Sequence, residues 1–152
     1  MKKFNFKIIS FIIFILLTVS CGYKPIYSSK KIEFRIIDII YENSNENRAI
    51  AKSLKQLSNK DGERNLLIKI NSFKSKRTVL KDSKGNPETF EMKITVKMLL
   101  EENDSNYTKS FEGKFAYNNN ENKYKLSQYE KEVEKLITED LVKNILKYLS
   151  SI

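Results

Sequence analysis

Apolar and polar positions alternate with period two in four stretches of this chain and with a helical period in two others. Residues 31–41 (KIEFRIIDIIY) open with Ile32, Phe34 and Ile36 opposite Glu33 and Arg35, a strand pattern that breaks at Ile36-Ile37. Asn43-Ser44 is a helix-start signal, and Ala49, Ile50, Leu54 and Leu57 follow at helical spacing, which predicts a helix over residues 45–57. Residues 64–80 place Leu66, Ile68 and Ile70 on one face, and a change of phase near Ser72-Phe73 predicts a bulge or bend in a long second strand. Lys84-Gly85-Asn86-Pro87 reads as a turn, and Phe90, Met92, Ile94, Val96 and Met98 then alternate with polar residues in a third strand.

A polar loop at residues 102–106 leads into YTKSFEGKFAY, where Tyr107, Phe111, Phe115 and Tyr117 predict a fourth strand, with Phe111 and Phe115 expected in the core. From about Ser127 to Ser150, Tyr129, Val133, Leu136, Ile137, Leu141, Ile145 and Leu149 form the apolar stripe of a long helix. The order β-α-β-β-β-α predicts an α+β two-layer sandwich: a four-stranded, mostly antiparallel sheet with two helices on one face, its last three strands an antiparallel meander. A strand returning through a helix can lie parallel to its neighbour, and the strand order stays open at this point.

Ahead of this domain the pattern is of another kind. A basic start, MKKFNFK, precedes an uncharged apolar run over residues 8–19, long enough for the core of a signal peptide and short of the ~20 residues that span a bilayer. Thr18-Val19-Ser20-Cys21 ends it in the manner of a bacterial lipobox, in which the cysteine thiol receives diacylglycerol before cleavage and the new amine is acylated. Three parts are expected: a lipoprotein signal peptide (1–20), a lipidated tether (21–30) opposed to regular structure by Pro25 and its small residues, and a single α+β domain (31–152). Each buried lipid methylene contributes ~0.8 kcal/mol and a single chain holds only marginally, so two or three chains on Cys21 would keep the body at a membrane.

Composition narrows the chemistry. The 152 residues contain no histidine and one cysteine, which excludes disulfides, zinc fingers and histidine-based catalysis. Of 28 basic residues Lys2, Lys3 and Lys7 precede Cys21, so 25 face 19 acidic residues in the body. Such an excess suits an anionic surface or ligand or plain solubility, and export removes nucleic acid from the candidates.

Cys21-Gly22-Tyr23-Lys24-Pro25-Ile26-Tyr27, the strand and helix order that follows it, and the polar-aromatic lead into the last helix together resemble the LPS-assembly lipoprotein family, LptE, in its alphaproteobacterial form. The resemblance implies an outer-membrane lipoprotein, not an enzyme and without a cofactor or metal, that supports and plugs the LptD β-barrel while lipopolysaccharide enters the outer leaflet. Its body would face the periplasm or lie within the barrel lumen. Gly22 after the cysteine, rather than an aspartate, favours outer-membrane delivery.

Lys74, Lys76, Arg77, Lys81 and Lys84 lie within eleven positions, and their charge suits the phosphates of lipopolysaccharide. The other reading of this cluster is a solvated run that guards a strand edge. Glu130, Glu132, Glu134, Glu139 and Asp140 read as a solvated face of the last helix. An auxiliary lipoprotein of an ABC-type envelope lipid-transport system is the alternative function. A hydrolase would need an activated nucleophile, and no Gly-x-Ser-x-Gly elbow is present.

Overall fold

The computed structural model describes residues 33–103 and 105–152. The expected signal peptide, Cys21 and the tether lie outside the described residues. The elements are β1 (Phe34–Tyr41), α1 (Asn45–Leu57), β2 (Arg64–Lys81), β3 (Pro87–Glu102), β4 (Ser105–Asn118) and α2 (Lys123–Leu149). The strands form one sheet in the order β1-β2-β3-β4. β1 runs parallel to β2, and the other two pairings are antiparallel. The α+β class and the order β-α-β-β-β-α are therefore as the sequence predicts, and the parallel pair settles what periodicity left open.

Both helices share one core with a single face of the sheet. Phe34, Ile68, Ile94, Val96 and Leu100 point up from the strands, and Ile50, Leu54, Leu141, Ile145 and Leu149 point down from the helices, all fully buried. Each such side chain contributes about 1.5–3 kcal/mol relative to an exposed one. Ser44 caps α1 by accepting from the Asn47 amide, so the helix starts where its capping residue stands. Two glycines act through space rather than flexibility. A Cβ on Gly62 would run into the Phe34 carbonyl carbon, and one on Gly113 would meet Ile137 Cγ2 at 2.7 Å, so both backbones approach their neighbours where only hydrogen fits.

Several details depart from the pattern reading. The break at Ile36-Ile37 is a bulge in the β1–β2 register, which throws Ile37 outward. No bulge occurs at Ser72-Phe73: β2 stays in regular register with β3 until Thr78, and Phe73 belongs to the opposite face of a straight strand, 72% exposed. The long helix begins at Lys123 rather than Ser127, because Asn122 accepts from the Lys125 amide as its N-cap. Tyr129 and Leu136 are exposed rather than part of the buried stripe. Phe111 packs against the core from a half-buried position, while Phe115, expected inside, is 39% exposed on the edge strand.

Candidate functional site

β2 outruns its parallel partner. β1 pairs with it only from Arg64 to Ile70, so residues 71–81 continue as an exposed strand joined to β3 alone. The five cations of the sequence cluster lie on or beyond this arm, and the structure does not gather them onto one surface. Successive strand residues face opposite ways, which places Lys74 and Lys76 under the helices and Arg77 on the open face.

Lys74 reaches Glu134 on α2 at 2.8 Å and also binds Glu46 in the first turn of α1. Burial lowers its affinity for a proton, but the two carboxylates outweigh burial and raise its pKa. Glu46 responds in the same sense: burial pushes its carboxyl up, and hydrogen bonds from Lys74 and the helix backbone bring it below the usual glutamate range. Lys76 binds Glu130 and stands 3.9 Å above the Phe90 ring. Tyr117 donates its hydroxyl hydrogen bond to the same Glu130 at 2.9 Å. Burial, reinforced by that carboxylate, raises the Tyr117 pKa, so the phenol stays protonated and acts as a donor.

Glu130 and Glu134 are thus not the solvated residues their neighbours in sequence suggest. Their side chains are about three-quarters buried and serve as counter-ions for the arm. No periodicity argument finds this, since the pairing joins residues 54 and 60 positions apart.

On the open face Arg77 binds Glu91 at 2.8 Å and Lys93 binds Glu112 at 2.6 Å, with Ser75 and Lys114 completing a shallow polar depression. Further along the same face Ile40, Leu99 and Thr108 line an apolar hollow beside Lys69 and Lys97, and Lys69 is engaged by Glu101. Phe73 stands between the two hollows. The one sequence signal for this exposed ring is its position out of phase with Leu66, Ile68 and Ile70. Lys81 and Lys84 occupy the exposed end of the arm, where Asp82 accepts from the backbone of Lys84 and Asn86, and Gly85 takes a positive φ of 85°. Chemically, Lys81, Lys84 and the 70% exposed Arg77 can meet an incoming phosphate, whereas Lys74 and Lys76 would first have to leave carboxylates that they hold together with the helices.

No protein-family model and no curated protein matches this chain. Solved structures do. The fold is similar to that of the rare lipoprotein B from Shewanella oneidensis, with 13% identity and a TM-score of 0.58 over 77% of this chain and 94% of that one. A lipoprotein B from Nitrosomonas europaea, determined in solution, is 17% identical with a TM-score of 0.58 over 86% of this chain and 91% of that one. A minor lipoprotein from Acinetobacter baumannii is 10% identical with a TM-score of 0.55, covering 79% and 94%. At these identities the likeness is one of fold.

Proposed function

We propose that this chain is a non-catalytic outer-membrane lipoprotein, held by lipid on Cys21, that supports and plugs the LptD β-barrel during lipopolysaccharide insertion. The observation that carries the reading is a conjunction. A lone cysteine ends an apolar leader in a lipobox-like setting, and the domain behind it has a fold found in several bacterial lipoproteins. The Cys21-Gly22-Tyr23-Lys24-Pro25-Ile26-Tyr27 opening then selects the translocon role by its resemblance to the LPS-assembly lipoproteins. Within that role, the end of the β2–β3 arm meets lipopolysaccharide phosphates through Arg77, Lys81 and Lys84, with Lys74 and Lys76 behind them.

The test is a mild-detergent pull-down from outer membranes with wild type and Cys21→Ala side by side. Recovery of one large β-barrel with the wild type supports the role. Recovery of inner-membrane transporter components instead favours an auxiliary lipoprotein of a lipid-transport system. Replacing Lys74, Lys76, Lys81 and Lys84 together with Arg77 by glutamine separates the ligand question, since unchanged lipopolysaccharide binding would rule out the arm as the contact.

A further inference from the structure

Among the described residues, three strand edges of this sheet lack a neighbour, and they differ in how they are guarded. The edge of β1 is broken by the bulge between Ile36 and Asp38, and the free stretch of β2 is broken between Thr78 and Lys81. Bulges of this kind twist an edge away from further pairing. β4 has none. It holds register with β3 from Glu102↔Ser105 to Thr89↔Asn118 without a shift, contains no proline, and has no strand on its other side among the described residues. A long, flat, unbulged edge is a template for another strand.

The side chains along β4 select the strand. In an antiparallel pairing of β4 with itself, a two-fold axis must pass through one residue, and that residue determines every facing pair. An axis at Glu112 sets Glu112 against itself, and one at Lys114 sets two lysines together; both arrangements repel. An axis at Gly113 faces Glu112 with Lys114 and Lys114 with Glu112, two attractive pairs related by symmetry. The same axis faces Phe111 with Phe115 twice, and Lys109 with Tyr117 twice.

The present surroundings fit that register. Lys114 has no carboxylate within ion-pair distance among the described residues, and Glu112 keeps about half of its side chain exposed while paired with Lys93. Phe115 keeps 39% of its surface open on this edge strand. Because facing residues point to the same side of a sheet, the axis keeps the helices of both copies on one side of a continuous eight-stranded sheet.

We infer that β4 is a self-pairing edge, joining two copies of this chain in an antiparallel β4–β4 contact centred on Gly113. The contact does not rest on the role proposed for the lipid anchor and the barrel, and it describes copies that are not seated in a barrel lumen. Self-complementarity is what singles out a second copy, because the charge order Glu112-Gly113-Lys114 is its own complement when reversed.

Sedimentation velocity of the full chain in mild detergent at low salt tests it. The wild type is expected to be a dimer. Glu112→Lys and Lys114→Glu, both at exposed positions that leave circular dichroism unchanged, are each expected to be monomeric, because each sets like charges face to face. Mixed together, the two variants are expected to form a one-to-one heterodimer, since lysine then meets glutamate at both positions. A second measurement reads the register: in a Cys21→Ala background, Ser110→Cys mixed with Ala116→Cys cross-links on mild oxidation, whereas Ser110→Cys alone does not. A wild type that stays monomeric at every concentration overturns the inference. So does a dimer that both charge variants leave intact, or one in which Ser110→Cys and Ala116→Cys fail to cross-link.

Discussion

Arg64 grips Glu102 with both arms of its guanidinium, Nε and Nη2 each donating at 2.7 Å to a different carboxylate oxygen. The third nitrogen donates to the Leu149 carbonyl at 3.3 Å, so one side chain ties the start of β2 to the end of β3 and the last turn of α2. The hydrogen bond from Arg64 is the main reason the Glu102 carboxyl sits below its ordinary range. Lysine keeps the charge but not the fork. Arg64→Lys is expected to cost about 1 kcal/mol and Arg64→Met about 2 kcal/mol, the second leaving a mostly buried carboxylate unpaired. Urea unfolding should show the loss as a lower midpoint at unchanged slope.

Lys74 holds Glu46 and Glu134 at once and so couples α1, α2 and β2. Lys74→Met is expected to destabilise by about 1–2 kcal/mol, a figure reduced for a lysine side chain that is 38% exposed. A double-mutant cycle with Glu134→Gln should return a coupling above about 0.5 kcal/mol, whereas a solvated pair would return nearly none.

Gly113 lies beneath α2, where an added Cβ would come within 2.7 Å of Ile137 Cγ2 and 3.3 Å of Leu141 Cγ. Gly113→Ala is expected to cost about 1–3 kcal/mol by overpacking. The strand position itself tolerates alanine, so the cost has a single steric source. Ile137→Ala removes the opposing methyl, and the double variant should therefore be more stable than the sum of the two single losses implies. Additive losses in thermal unfolding would show that the close contact is not the cause.

Stability should fall at both ends of the pH scale. Glu46, Glu102 and Glu130 all titrate below the ordinary 4.5 when folded, so their contribution is complete above that value and lost as pH falls through the folded values. Tyr117 is raised above 10.0 and Lys74 above 10.5, so their contribution is complete below those values and lost as pH rises. A plot of Tm against pH should be flat between about 5 and 9 and decline on either side. Glu102→Gln should shallow the acid limb, and Tyr117→Phe the alkaline one.

The sequence patterns reach the class, the element order and α1 to the residue, because Ser44 and the spacing of Ile50 and Leu54 act locally. They miss what depends on how the elements are placed around the sheet. Alternation tells which face Phe73 or Phe115 points to, but not that Phe73 faces an open side or that Phe115 stays partly open on an edge strand. Leu136 joins the stripe on a wheel drawn too wide, whereas its true position is the solvent side of α2. The basic cluster is visible as composition, yet its division between two faces and its carboxylate partners on distant helices arise from tertiary packing. The Cys21 motif lies wholly in local sequence, which is why it is the clearest functional signal.

The parallel pairing of β1 with β2 also sets an order of assembly. β2, β3 and β4 are joined by short turns and can zip from those turns outward. Phe34 must find Arg64 thirty residues away, across the whole of α1 and its loops. Closing that loop loses more chain entropy before any contact repays it than zipping the meander does, which favours β1 docking onto a formed meander. Until β1 docks, the whole length of β2 would be an open edge, Leu66, Ile68 and Ile70 included, and that edge is where another chain would have something to hold.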